Sequence, residues 1–252
     1  MSERTGRDAP DRMTRRRRPG DHAIYLEVGD KRVFAGAIDW PAWARSGRDD
    51  DAALEALFAY APRFARALKG TGLGFEMPQD PSALRVVERL PGTATTDFGA
   101  PDVPPSADAE PLRDADLRRF ATLFRACWRA FDRAEEAAGS VELTKGPRGG
   151  GRDLQKIVDH VLGSDESYLS MIGAKAPRGG PDGRVDRVRR AVLGALEVAV
   201  SEGVRPGPRG GKRWTPRYFV RRSAWHALDH AWEIEDRTPS SMSAASVRRL
   251  RP

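Results

Sequence analysis

Between residues 113 and 237 apolar side chains recur every three or four positions in four long stretches, roughly 113–138, 152–173, 183–202 and 215–237. That period predicts four amphipathic helices. The first carries the clearest stripe, Leu117, Phe120, Leu123, Phe124, Trp128 and Phe131. Pro-Arg-Gly-Gly loops at 147–150, 177–180 and 208–211 punctuate the pattern. None has the spacing of a phosphate-binding P-loop or follows a predicted strand, so they read as links between helices. Four long helices joined by short loops predict a four-helix bundle.

Upstream the period changes. Residues 23–40, AIYLEVGDKRVFAGAIDW, read as two strands joined at Gly29-Asp30. Residues 47–70 read as a helix, with Asp49, Asp50 and Asp51 at its positive end and Gly70 at its close. Pro62 inside that helix predicts a break near Ala61. SALRVVERLPG, residues 82–92, predicts one more strand. Residues 93–112 are rich in Pro, Ala, Ser and Asp without a period and read as a connection. The expected class is therefore α+β. A basic arm (1–20), a small α/β domain (21–92), a linker (93–112), a four-helix bundle (113–237) and a tail (238–252) follow in order.

Charge adds little to the folded part. Seven arginines among the first 20 residues, against Glu3, Asp8 and Asp11, account for four of the seven net positive charges. The run Arg15–Arg18 reads as a solvated arm, and nucleic acid is expected only through that arm. The single cysteine, Cys127, lies in an apolar helical stripe and reads as a core filler. One cysteine allows no internal disulfide, no apolar run reaches the ~20 residues of a membrane span, and no apolar segment follows the arginines as in a secretory signal. A cytoplasmic protein without membrane contact is expected.

The chemistry concentrates in histidine. The chain has four, and His226 and His230 stand four apart in RRSAWHALDHAWEIEDR. On a helix they lie ~40° apart in azimuth and ~6 Å apart along the axis, close enough to share one metal ion. Ala227 follows the first of them, which excludes the H-E-x-x-H protease helix. His160 is flanked by Ile157 and Val161 and is expected to face the bundle core, where an imidazole needs polar partners. Three converging histidines would meet that need and leave positions open for water or substrate. The other reading is a lone hydrogen-bonded core His160 with an exposed pair. His22, at the edge of the arm, has no evident partner. Asp159, Asp229 and Glu233 are candidates to hold a ring N–H of a ligand, and Trp225 and Trp232 read as packing residues.

One histidine on the second helix and HxxxH on the fourth resemble the DinB/YfiT-like superfamily of metal-dependent four-helix bundles. IVDHVLGSDESYL and RRSAWHALDHAWEIEDR are similar to the segments that family carries at these places, and the resemblance spans roughly 113–237. It implies a divalent metal, zinc or nickel, on His160, His226 and His230. It also implies a thiol-dependent S-transferase or isomerase acting on a small molecule with a low-molecular-weight thiol such as bacillithiol or mycothiol. FAGAIDWPAWARSGRDDDAALEAL is similar to the strand–loop–helix of HicB-like domains, with Trp40-Pro41-Ala42 in place of their Leu-Pro-Gly. That likeness supplies the competing expectation, a non-catalytic regulatory or interaction protein using this unit and the basic arm.

Overall fold

The computed structural model describes residues 19–146, 151–207 and 210–239. The arm with its arginine run, the first Pro-Arg-Gly-Gly loop, half of the third and the tail from 240 lie outside the described residues. The fold is mixed α+β, a four-stranded sheet followed by long helices.

β1 (His22–Val28) and β2 (Val33–Ala37) form the expected hairpin, in register from Ile24 opposite Ala37 to Val28 opposite Val33. A third strand, β3 (Ala44–Gly47), pairs antiparallel with β2. Its sequence, ARSG, lacks the β-branched and aromatic residues that signal a strand, which is why the pattern did not reveal it. α1 (Asp50–Ala59) begins where the Asp49 carboxylate accepts the Ala52 N–H at 2.9 Å. The helix breaks at Tyr60, and α2 (Ala61–Leu68) restarts with Pro62 in its first turn, where a missing N–H costs nothing. The chain then returns to lay β4 (Leu84–Pro91) parallel to β1, giving the order β3-β2-β1-β4. Trp43 stacks on Phe64 at 5.8 Å, and Phe75 packs edge-on against both, sealing the sheet against α2.

The expected connection 93–112 is ordered. It holds α3 (Ala94–Phe98), capped reciprocally by Thr93 and Thr96, and a single 3₁₀ turn at Ser106–Ala109. Its bonds are long-range. The buried Glu27 carboxylate accepts the backbone N–H groups of Asp102 and Val103 and the Thr96 hydroxyl. Asp108, also buried, pairs with Arg221 at 2.6 Å. Such pairings cannot be seen in local composition.

α4 (Asp114–Ala138), α5 (Leu154–Met171), α6 (Arg184–Ser201) and α7 (Pro216–Arg237) match the four periodic stretches closely. α7 packs on α4 and α5, and α6 packs on α5 and α4, closing the four into a ring. The stripe of α4 faces inward, with Phe120, Leu123, Phe124, Trp128 and Phe131 buried. One apolar core runs from Ile24, Trp43 and Phe64 through Phe124 and Ile157 to Leu228. A boundary at 93–112 therefore does not divide the core. Arg221 shows how tightly the layers are joined: it donates to the Ala37 and Ile38 carbonyls of the sheet as well as to Asp108. Among the described residues no helix is long and apolar enough to cross a membrane.

Candidate metal centre

α5 and α7 place the histidines. α5 starts at Asp153, whose carboxylate accepts the Lys156 N–H at 2.9 Å. Seven residues on, His160 sits between the buried Ile157 and Val161 and points toward α7. α7 starts at Thr215, whose hydroxyl accepts the Tyr218 N–H, with Pro216 in the first turn. It presents one polar stripe, Arg222, His226, His230, Glu233 and Arg237, at spacings of three and four residues.

The three imidazoles meet. Their ring centres lie 5.0 Å (His160–His226), 5.0 Å (His160–His230) and 4.6 Å (His226–His230) apart, with planes crossed at 66–86°. One nitrogen from each lies within 4.8 Å of the other two. The Nε2 atoms of His160 and His226 are 3.2 Å apart. Two nitrogens at ~2.0–2.1 Å from a tetrahedral zinc are separated by ~3.3 Å, so this pair already spans one edge of such a site.

Glu233 fixes the third ring. Its Oε2 lies 2.6 Å from His230 Nδ1, and its Oε1 accepts from Arg237 Nη1 at 2.6 Å. With the proton on Nδ1, the Nε2 lone pair of His230 is left for a ligand. Arg237 is anchored in turn by donating to the carbonyls of Thr144 and Arg152. Asp229 and Asp159 go elsewhere: Asp229 pairs with Arg45 at 2.5 Å, and Asp159 lies 3.4 Å from Arg184 on the surface.

The electrostatics favour neutral rings at His160 and His226. Burial, reinforced by the charges of His230 and Arg152, lowers the pKa of His160 to about 4. His226, only 6% exposed, is held well below the usual histidine range, first by burial and then by His230 and Arg222. Burial alone would raise Glu233, but hydrogen bonds and charges from His230 and Arg237 outweigh it and keep the carboxylate ionised. Neutral imidazoles with free lone pairs are what a divalent cation requires. One feature departs from a complete ligand shell: His226 Nδ1 is buried with no partner among the described residues.

The fourth histidine is structural. His22 is buried, its Nε2 lies 2.8 Å from the Glu76 carbonyl oxygen, and its ring stacks on Phe75. Cys127 is fully buried, and desolvation pushes its thiol up to about 12. Trp225 packs edge-on against Phe34, and Trp232 against Tyr60. The described Pro-Arg-Gly-Gly segment, 177–180, is exposed and leads into α6, with Gly179 at φ +72° and Gly180 at φ +115°. Arg222, one turn before His226 on the same stripe, had no reading in the sequence. Its i, i+4 spacing to a candidate ligand was the available signal. Compared with protein-family models, with curated proteins and with solved structures, the chain has no significant match.

Proposed function

We propose that this protein is a divalent-metal-dependent enzyme in which His160, His226 and His230 hold zinc or nickel. We further propose that it acts as a thiol-dependent S-transferase or isomerase of the kind the DinB-like resemblance implies. The observation that supports this most is the convergence of three imidazole nitrogens within 4.8 Å, with Glu233 hydrogen-bonded to the far side of one ring.

The residues fit such an ion. Two nitrogens stand 3.2 Å apart, and the rings of His160 and His226 are kept neutral first by burial. Three protein ligands are the number found where a position is kept for substrate, whereas structural zinc sites close with four. A divalent cation bound there supplies Lewis acidity and makes a thiol or water deprotonate at neutral pH.

The chain's own part is positional. α5 and α7 bring the three rings together, His160 between the buried Ile157 and Val161. Glu233 sets the tautomer and orientation of His230, and Arg237 keeps Glu233 ionised. Tyr168, whose ring centre is 5.7 Å from that of His226, walls the site toward α5. Burial excludes water from the His226 side, which strengthens each electrostatic contact within.

The test is turnover of an electrophilic small molecule by the purified full chain with a low-molecular-weight thiol. The chain is measured as isolated, after chelation, and after reloading with zinc or nickel. The proposal expects activity that is lost on chelation, restored by metal and absent in His226→Ala. Bound metal without turnover across a broad electrophile panel would overturn the enzymatic reading and favour a regulatory protein.

A further inference from the structure

We propose that Arg222 is a carboxylate-binding residue of the same site, so that the molecule held beside the three histidines carries a carboxylate. This rests on the metal-site reading above and adds the substrate's chemical class to it.

α7 carries four arginines, and three of them have a carboxylate: Arg217 on Asp116, Arg221 on Asp108 and Arg237 on Glu233. Arg222 is the exception among the described residues. It is 9% exposed, its Nη1 is buried with no hydrogen-bond acceptor, and it has no ion-pair partner. A guanidinium removed from water without a counter-charge is destabilising. Residues that break a local rule in this way concentrate where a ligand completes them.

Its place says which ligand. Arg222 precedes His226 by one helical turn on the same face of α7. The guanidinium carbon lies 5.4 Å from the Tyr168 ring centre and 5.1 Å from that of Trp225. Tyr168 therefore borders both Arg222 and His226. The Trp225 indole N–H is also buried without an acceptor. A planar fork held between aromatic rings suits a planar, singly charged carboxylate, bound by two parallel N–H···O bonds. A phosphate would bring more charge than one guanidinium balances. The turn between Arg222 and His226 sets a spacing of ~6 Å along the helix. A short molecule with a carboxylate at one end and a thiol at the other is therefore the simplest probe of both groups.

The experiment uses the full chain and the variants Arg222→Gln, Arg222→Lys and Arg222→Met. Cobalt is loaded in place of zinc, and thiol binding is followed by the near-ultraviolet thiolate-to-cobalt absorption. The probes are 3-mercaptopropionate and its neutral amide. The wild type should bind the carboxylate form at least about tenfold more tightly than the amide, the usual worth of a buried charge-assisted hydrogen bond. Arg222→Gln should lose that preference with amide binding unchanged, and Arg222→Lys should keep part of it. Arg222→Met should raise the thermal midpoint, because it removes an unpaired buried charge; a structural arginine would lower it. No preference in the wild type, a preference that survives Arg222→Gln, or a lowered midpoint in Arg222→Met would each overturn the proposal. If cobalt does not bind, the metal reading fails, and calorimetric titration of the metal-free chain with propionate decides this one alone. Heat of binding present in the wild type and absent in Arg222→Gln supports it; no heat in the wild type refutes it.

Discussion

Replacing Arg221 by Ala should come close to unfolding the protein. Arg221 and Asp108 keep only 2% and 4% of their side chains exposed, and the guanidinium makes four hydrogen bonds, two to Asp108 and one each to the carbonyls of Ala37 and Ile38. Removing one partner of a buried pair costs about 3–5 kcal/mol, because the other charge is left without compensation. Each carbonyl that loses its donor adds about 1 kcal/mol where water cannot replace it. The sum, roughly 5–7 kcal/mol, is comparable to a whole domain's usual stability of about 5–15 kcal/mol. The double variant Arg221→Met/Asp108→Leu should recover most of the loss, since the pair can be exchanged for apolar packing of similar volume. Urea unfolding followed by far-ultraviolet circular dichroism and tryptophan fluorescence measures both. A loss below about 1 kcal/mol for Arg221→Ala would match an exposed pair. It would refute the docking of the 106–109 turn between sheet and helix.

Other perturbations test other parts of the account. Burial raises the Asp165 carboxyl from 3.8 to about 7, so the folded state holds its proton more tightly than the unfolded chain does. The stability this contributes is full below about pH 4 and is lost as pH rises through 7, a span worth roughly 4 kcal/mol. Asp165→Asn should therefore raise the thermal midpoint relative to wild type at about pH 8, with the gap closing toward about pH 4. A gap independent of pH would contradict a buried neutral acid. Glu233→Gln retains an acceptor for Arg237 but loses the charge that orients His230, and should weaken zinc binding by about 10–100-fold. Metal affinity unchanged in that variant would remove Glu233 from the site. Cys127, with its thiol pushed up to about 12 by burial, should not react with a thiol reagent in the native state and should react fully in urea; fast native labelling would show that α4 is not packed as described.

Much of this architecture was legible in the sequence, because helices and buried stripes are local signals. The stripe from Leu117 to Phe131, the Asp49 cap and the Pro62 break each depend on residues a few positions apart. What the sequence hid depends on distant partners. β3 is a strand because it borders β2, although ARSG has no strand preference. Segment 93–112 is ordered by Glu27 and Arg221, which lie far away along the chain. At the histidines, helical spacing predicted the convergence of His226 with His230, and the apolar flanks of His160 predicted its inward face. Spacing placed Glu233 nearer the ligand face than Asp229 but left both, with Asp159, as candidates. Glu233 reaches His230, while Asp229 is drawn to Arg45 of the sheet layer, a partner that only the tertiary fold provides.

The central claim, that three histidines form one metal site, is tested most directly by titrating zinc into the chelator-stripped full chain against a chromophoric competitor at neutral pH. The same titration is run on His160→Ala, His226→Ala and His230→Ala. The account predicts one equivalent of tightly held zinc in the wild type and a steep loss of affinity in each variant, with helical content unchanged. No zinc bound by the wild type, or an affinity indifferent to removal of His160, would contradict it.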